Sequence, residues 1–223
     1  MISPVPLLYR ISKTQSRRNL YEWLRSAIAE AQLASDARIL SIGAGGDVEA
    51  ELRRAGLSFT SVDIDPSRHP DVIADLEKLT PFANESIDAV FVLEVLEHLK
   101  NPMQGVAELE RVLRPGAVVI GSTPFLLAIH DEPHDYYRFT YHGLQHLFRD
   151  FEHVLLRERN GELRAAGVLF TRRLIHVPHG QALRTLLLSP LLILLSSIAA
   201  ALDRLLPSRN GTTGYFFVFR KPL

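Results

Sequence analysis

A run of glycines followed at a distance by an acid could hold a nucleoside. The segment RILSIGAGGDVEAELRRAGLSFTSVDIDP places Gly43, Gly45 and Gly46 upstream of Asp63. Glycines adopt backbone angles that other residues resist, and they leave the main chain open to a ligand. A carboxylate at the end of the following strand can accept both hydroxyls of a ribose. The pattern therefore predicts a site for a nucleoside-containing cofactor.

Histidines that could act as general bases come later in the chain. The candidates are His98, His130 and His134, because imidazole exchanges protons near neutral pH. His134 is favoured, since Asp135 follows it and could orient its ring, whereas His98 could equally cap or pack a turn. Two of these histidines could also bind a metal with a neighbouring carboxylate. Pro133 argues against a helical pair of ligands, so no metal is expected.

The elements that must position these residues follow from the apolar pattern. Apolar runs typical of buried strands alternate with segments of helical periodicity. Strands are expected at 39–42, up to Asp63, at 72–74, 87–93, 117–122, 151–159 and 214–220. Helices are expected at 14–33 (capped by Thr14 or Ser16), at 48–55, from Pro102 to a stop at 114–116, and from Thr140. This alternation predicts an α/β fold with a doubly wound, mostly parallel, seven-stranded Rossmann-like sheet.

Taken in order, six segments resemble the class I S-adenosylmethionine-dependent methyltransferases, in their small-substrate branch. They are SIGAGG, VDIDP, ADLEKLTPF, DAVFVLEVLEHL, ELERVLRPGA and the polar loop after the next strand. The resemblance covers residues 38–160 and the last strand, and it implies S-adenosyl-L-methionine as the cofactor.

The resemblance also implies a role for individual residues. Gly43 and Gly45 would line the methionine part of the cofactor, and Asp63 would hold the ribose. The adenine would be flanked by Ile64, faced by Asp75 and packed by Leu76. Glu94 and His98 would lie near the methyl donor and the acceptor.

The segment HDEPHDYYRFTYHGLQHL narrows the likeness to a bacterial subgroup with a P-H-D-Y-Y-R-F-T box, often linked to cell-surface polysaccharide or lipid-linked glycan pathways. The implied function is methyl transfer to a small or lipid-linked acceptor. The residues expected to bind that acceptor are His130, Asp135, Tyr136, Tyr137 and Arg138, with His134 and His98 as the catalytic candidates.

Two positions depart from the family pattern and keep other functions open. Ser41 stands where an acid is usual, and Asp47 stands where a third glycine is usual. A noncatalytic adaptor on a methyltransferase fold is therefore one alternative. A nicotinamide-dependent oxidoreductase is another, although Val48 replaces the last glycine of its fingerprint and the Tyr-x-x-x-Lys spacing at Tyr9 and Lys13 lies ahead of the predicted sheet.

Charge and composition restrict the setting of the protein. Residues 1–148 carry a net charge of −6 and residues 149–223 a net charge of +6. The acidic part holds the predicted cofactor site, which argues against a nucleic-acid partner. The chain has no cysteine, and its N-terminus lacks the order of a signal peptide. A cytoplasmic location is expected.

An apolar insertion precedes the last strand. Residues 185–202 are uncharged and include Pro190, and their number is near the lower limit for a membrane span. A span would separate the last strand from its sheet, so we expect either a helix lying on the inner face of a membrane through residues 182–207 or a helix packed in an oligomer. The predicted parts are an N-terminal helical segment (1–36), a cofactor-binding domain (37–161 and 212–223) and the insertion (162–211).

Overall fold

The computed structural model describes residues 5–175, 182–208 and 210–223. Within these ranges, the strands are β1 (Ile39–Ile42), β2 (Thr60–Asp63), β3 (Val72–Ile73), β4 (Ile87–Leu93), β5 (Leu113–Pro124), β6 (Glu152–Glu158) and β7 (Gly214–Arg220). They form one seven-stranded sheet in the order β3-β2-β1-β4-β5-β7-β6. The pairs from β3 through β5 are parallel.

The last strand makes the sheet mixed. Gly116 N–H donates to Lys221 O, and Lys221 N–H donates to Ala117 O. The end of β7 therefore meets the beginning of β5, so these two strands run antiparallel. The prediction of a Rossmann-like, mostly parallel sheet is confirmed for the number of strands and for the parallel pairs from β3 through β5.

Seven α-helices lie within the described residues: α1 (Val5–Ser16), α2 (Leu20–Ala31), α3 (Asp47–Arg54), α4 (Pro102–Val112), α5 (Tyr141–Leu147), α6 (Glu162–Ile175) and α7 (Ala182–Leu205). Local caps fix two of their starts. The Asn101 side chain accepts from Gln104 N–H at 3.2 Å before α4, and Thr140 Oγ1 accepts from Gly143 N–H at 2.9 Å before α5. Both starts agree with the sequence prediction.

The predicted single helix over residues 14–33 was wrong. Thr14 lies inside α1, and the chain leaves that helix after Ser16. Asn19 then takes a left-handed φ of 63°, a conformation that asparagine tolerates and that ends helices. A separate helix, α2, begins at Leu20.

The helix that was predicted to stop at residues 114–116 ends at Val112, and residues 114–116 themselves lie inside β5. The register passes from Ile87 opposite Leu113 to Ala89 opposite Val118. Several residues of β5 therefore oppose a single residue of β4, which is a bulge. Gly116, with φ of 78°, permits the bend.

The chain divides into two compact units. The sheet unit comprises Leu20–Pro124, Asp131–Arg157 and Tyr215–Leu223, and the helical unit comprises Met1–Asn19, Phe125–His130 and Glu158–Gly214. This division differs from the predicted boundaries, because α1 and α2 fall in different units and residues 125–130 join the helical one. In the sheet unit, α2 contributes Leu24 to a core that includes Phe91 and Phe216, all fully buried.

The helical unit contains α1, α6 and α7. At its base, Asn160 Nδ2 donates to Thr213 Oγ1 at 2.7 Å, and Thr213 Oγ1 donates to Ser16 O at 2.8 Å. The predicted apolar insertion is helical, as α6 and α7. Within the described residues, none of the helices has both the length and the apolar character needed to cross a membrane.

Candidate active site

The glycine turn after β1 exposes its main chain. Gly43, Gly45 and Gly46 have φ angles of 87°, 87° and 81°, in the left-handed region that favours glycine. A Cβ added to Gly45 or Gly46 would meet nothing within 4 Å, whereas one on Gly43 would lie 2.9 Å from Val95 Cγ2. Open space therefore borders the turn at its second and third glycines, and a ligand can approach the backbone there.

Asp63 ties this turn to the end of β2. Its Oδ2 accepts from Ala44 N–H at 2.8 Å, and its Oδ1 accepts from Asp65 N–H at 2.9 Å. Its side chain is 10% exposed, and Arg68 Nε lies 3.8 Å from Oδ2. Each carboxylate oxygen has two acceptor positions, so both oxygens retain one for a hydroxyl. The predicted ribose ligand thus lies beside the predicted glycine turn.

Glu49 shapes the same turn and was not predicted. It is the third residue of α3, and its buried carboxylate accepts from Gly45 N–H at 2.7 Å and from Arg53 Nη2 at 2.9 Å. A glutamate at this helix position characteristically reaches back to free N–H groups. The sequence signal was present as a glycine pair followed three residues later by an acid.

Asp47, which departs from the family pattern, has a defined partner. Tyr21 Oη donates to Asp47 Oδ2 at 2.8 Å. Tyr21 belongs to α2, so this hydrogen bond joins the start of α3 to that helix. The carboxylate is also at the N-terminus of α3, where the helix dipole favours a negative charge.

The positions predicted for the adenine lie along the β2–β3 edge. Ile64 is 65% exposed, and Ile73, which is in register with Asp63, is 61% exposed. Asp75 Oδ1 accepts from Glu77 N–H at 2.9 Å and thereby starts a tight turn. Leu76 is 4% exposed. The edge therefore offers two exposed apolar side chains and a half-buried carboxylate, and their roles stay predictions.

Glu94 follows β4, at the point where the strand order reverses. Ligands bind at such points in doubly wound sheets. Glu94 has a left-handed φ of 57°, which is strained for a residue with a side chain. Its N–H donates to Ser122 O at 2.8 Å, and its Oε1 accepts from Ser122 Oγ at 3.0 Å. These two bonds to β5 hold the strained residue in place.

His98 has a defined tautomer. Its Nδ1 lies 2.6 Å from the main-chain oxygen of His134. A carbonyl oxygen can only accept, so Nδ1 carries the proton and Nε2 of the neutral ring is the basic nitrogen. Glu97 Oε1 and Asp131 Oδ2 lie 3.7 and 4.0 Å from Nε2. These carboxylates would stabilise the positive charge that the ring gains with a second proton.

The P-H-D-Y-Y-R-F-T box is anchored on Glu97, a second residue that was not predicted. The main-chain oxygen of Glu97 accepts from Tyr136 N–H at 2.9 Å and from Tyr137 N–H at 3.1 Å. Its carboxylate is fully buried and accepts from Thr123 Oγ1 at 3.4 Å. The rings of Tyr136 and Tyr137 are 43% and 37% exposed. An aromatic surface therefore lies beside the turn that carries His98.

The predicted pairing of Asp135 with His134 was wrong. The hydroxyl of Tyr136 lies 3.0 Å from His134 Nδ1, while both oxygens of Asp135 accept from Arg138, at 2.5 and 2.6 Å. Hydrogen bonding to Asp135 raises the pKa of Arg138. The adjacent carboxylate thus holds the arginine of the box rather than its histidine, and Arg138 is one half of an ion pair.

His130 is the remaining predicted residue. It belongs to the helical unit, at the end of Phe125–His130, and it is half-buried. Its part in binding an acceptor stays a prediction, as do the cofactor and acceptor roles assigned to the residues of the sheet unit.

Part of the sheet unit is similar in sequence to known proteins. Residues 40–121 match the family described as methyltransferase domain. An uncharacterized chloroplastic methyltransferase of Arabidopsis thaliana is 37% identical over 105 residues, which are 45% of this chain and 28% of that protein. The chain spans about half or less of the length of the curated relatives that it matches.

Two solved structures show how widely the fold is shared. The cyclase SpnF is 19% identical, with a TM-score of 0.58 over 90% of this chain and 80% of its own. The 1,6-didemethyltoxoflavin-N1-methyltransferase of Burkholderia thailandensis, solved with 1,6-didemethyltoxoflavin and S-adenosylhomocysteine, is 19% identical, with a TM-score of 0.51 over 89% and 77%. At this identity the likeness shows the fold alone. The sequence similarity to methyltransferases therefore rests on residues 40–121 and on the partial matches to the curated relatives.

Proposed function

We propose that this protein transfers a methyl group from S-adenosyl-L-methionine to a small or lipid-linked acceptor. The observation that carries the proposal is the 2.8 Å hydrogen bond from Ala44 N–H to Asp63 Oδ2. Because of this bond, the carboxylate that would accept the ribose hydroxyls lies beside the open main chain of the glycine turn. The family match over residues 40–121 includes both parts, and S-adenosylhomocysteine in the Burkholderia thailandensis structure supports the choice of cofactor.

The residues of the sheet unit fit this cofactor. Gly43 and Gly45 would hold its methionine part and Asp63 its ribose, while Ile64 and Asp75 would contact the adenine. When bound, S-adenosyl-L-methionine supplies a methyl group on a positively charged sulfur, open to in-line displacement. The sheet unit has 14 Lys and Arg against 22 Asp and Glu, a net charge of −8. This balance favours the approach of a cationic ligand.

The acceptor would be a hydroxyl compound. His98 would take the hydroxyl proton at Nε2, while its Nδ1–H stays on His134 O. Glu97 would stabilise the resulting imidazolium, and the exposed rings of Tyr136 and Tyr137 would form a wall for the acceptor. A lipid-linked glycan as the acceptor is a prediction from the family resemblance alone.

The adaptor alternative has lost part of its support. It rested on Ser41 and Asp47, and the carboxylate of Asp47 is held by Tyr21. Ser41 Oγ is buried and has no hydrogen-bond partner within the described residues. The adaptor and the nicotinamide enzyme both predict that S-adenosyl-L-methionine does not bind, so one measurement tests them all.

Calorimetry on the full chain with S-adenosyl-L-methionine, S-adenosylhomocysteine and NAD tests the proposal. We expect the first two to bind and NAD to give no heat. Asp63→Asn should weaken binding roughly 10- to 100-fold, because hydrogen bonds to a charged carboxylate contribute about 1.5–3 kcal/mol. Asp150→Asn, the same change at an exposed carboxylate beside Arg149, should bind like the parent.

Two outcomes would overturn the proposal. One is a folded parent that binds neither S-adenosyl-L-methionine nor its demethylated product. The other is an Asp63→Asn variant with the affinity of the parent. Circular dichroism on each variant separates lost binding from lost folding.

A further inference from the structure

The solvent-exposed side of α7 is almost entirely apolar, which is unfavourable in water. Among the described side chains from 187 to 205, the exposed ones are apolar except Ser197 and Arg204. At 100° per residue they fall on one side of the helix. We call this set the leucine face: Leu187 (70% exposed), Leu191 (52%), Leu194 (56%), Leu195 (43%), Ile198 (46%), Leu202 (40%) and Leu205 (75%).

The exposed hydroxyl on this side, that of Ser197, does not need water as a hydrogen-bond partner. Ser197 Oγ donates to Ile193 O of its own helix at 2.8 Å. Serine satisfied in this way can enter an apolar environment without losing a hydrogen bond. Arg204, at the end of the face, can extend its charged group to a surrounding polar layer.

The inward side of α7 carries the polar contacts. Ser196 is buried and its Oγ donates to Gln15 Oε1 at 2.8 Å. Asp203 accepts from Gly161 N–H at 3.0 Å and from Arg164 N–H at 3.2 Å, and Arg164 Nη2 donates to Ala200 O at 2.8 Å. The helix is thus fixed to α6 by polar groups and presents its leucines outward, the reverse of a helix on the surface of a protein in water.

Charge favours an anionic surface against this face. The helical unit has 11 Lys and Arg against 3 Asp and Glu, a net charge of +8. Each cation near an anionic bilayer contributes favourably to binding. A second copy of the chain is a poorer match, because a symmetric contact would bring together two units of the same high charge.

We infer that the leucine face lies on the interfacial layer of an anionic lipid bilayer, with α7 in the plane of the membrane. The face extends for about 27 Å at 1.5 Å per residue, and its other side is held by α6, so lipid can cover one side only. Apolar contact and the excess of cations in the same unit together favour interfacial binding. The inference goes beyond the proposed function and does not depend on it.

Vesicle sedimentation with the full chain tests this inference. The parent should pellet with phosphatidylcholine vesicles that contain about one third phosphatidylserine, and less with phosphatidylcholine alone. Raising NaCl to about 0.5 M should reduce pelleting, since salt screens the cations. Leu194→Glu with Ile198→Glu should lower the bound fraction about tenfold or more, because charge enters the apolar contact.

The matched control carries the same two new charges elsewhere. Met103 and Val154 are exposed apolar residues of the sheet unit, 40% and 48% accessible. Met103→Glu with Val154→Glu changes the net charge equally and should pellet like the parent. Calorimetry with S-adenosyl-L-methionine should give the parent value for both double variants, which keeps this test separate from that of the proposed function.

A second measurement locates the face directly. The chain has no cysteine, so Leu194→Cys and Glu152→Cys each accept a single spin label. On vesicles, the label at 194 should become accessible to dissolved oxygen and protected from a water-soluble nickel reagent. The label at 152, on β6, should show neither change.

Three results would overturn the inference. The first is a parent that stays in the supernatant with both kinds of vesicle. The second is a Leu194→Glu, Ile198→Glu variant that pellets like the parent. The third is a parent that forms a stable dimer and pellets with no vesicle, where the same double variant is monomeric in analytical ultracentrifugation. That result would assign the face to a second copy of the chain.

Discussion

The two units place their polar groups in opposite ways. The sheet unit buries Phe91 and Phe216 completely and collects carboxylates at the ends of its strands, with a net charge of −8. The helical unit buries Ser196, Arg164 and much of Asp203 and turns leucines outward, with a net charge of +8. A chain whose overall charge is zero can thus contain two surfaces suited to different partners. Averages over the whole sequence conceal this difference.

The sharpest way to test the assignment of chemistry to the sheet unit is His98→Asn. Asparagine can still donate to His134 O but has no basic nitrogen. We expect turnover to fall by about 10³-fold, within the range for loss of a general base, and cofactor affinity to change less than about twofold. The measurement is S-adenosylhomocysteine formation with a panel of hydroxyl-bearing small and lipid-linked acceptors.

The control for this change is His142→Asn, at an exposed histidine of α5 that contacts Gln145; it should keep parental turnover. Nitrogen-15 NMR of the parent gives an answer that needs no acceptor. In the neutral form of its ring, His98 should carry the proton on Nδ1 and none on Nε2. Equal turnover of His98→Asn and parent, or the opposite tautomer, would remove His98 from the catalytic role.

The contribution of a hydrogen-bonded carboxylate to the stability of the sheet unit can be tested at Glu108 of α4. Its carboxylate accepts from Leu79 N–H at 2.7 Å and from Arg111, and the hydrogen bonding to Arg111 lowers the pKa of Glu108. A carboxylate whose pKa is lower in the folded than in the unfolded state stabilises the fold at pH values above its unfolded pKa. That contribution is lost as pH falls through the folded pKa.

Glu108→Gln should therefore lower the free energy of unfolding by about 1–2 kcal/mol near neutral pH. The difference from the parent should shrink as the pH is lowered past the ordinary glutamate pKa. Urea unfolding at several pH values measures it. Glu110→Gln, two residues along α4, should cost less than about 0.5 kcal/mol; equal losses for the two variants would contradict the assignment.

The smallest expected effect tests the reversed polarity of α7. Ser196→Ala removes the buried hydrogen bond to Gln15 and should cost about 1 kcal/mol. Ser197→Ala removes a bond to the same helix on the exposed side and should change stability by less than about 0.5 kcal/mol. Thermal unfolding of the two variants side by side gives the comparison. A larger loss at Ser197 would mean that the polar side faces outward.

Local patterns in the sequence predicted much of the sheet unit. The apolar run of β4 and the aromatic run of β7 were predicted to the residue, because a strand covered on both faces reads as a continuous apolar segment. The caps at Asn101 and Thr140 were likewise readable, since a cap and its helix are neighbours in the chain. The glycine turn and Asp63 were found because their residue types are tied to their geometry.

The partners that polar side chains find in the folded protein were not readable from the sequence. Asp135 stands next to His134, yet Arg138 holds its carboxylate. Glu97 was missed because its burial depends on β5 and on the box that folds over it. The sequence predicted an apolar helix at α7, but the side that faces outward depends on Asp203 meeting Arg164, 39 residues away.

The hydrogen bond from Gly45 N–H to Glu49 has a consequence for how a ligand enters. Together with the bond from Ala44 N–H to Asp63, it holds the turn in shape by contacts within the protein itself. Fixing a residue's backbone costs about 1–2 kcal/mol in entropy, and folding has already met that cost here. A nucleoside would therefore bind to a preformed turn. We expect Glu49→Gln to lower its association rate less than it raises its dissociation rate.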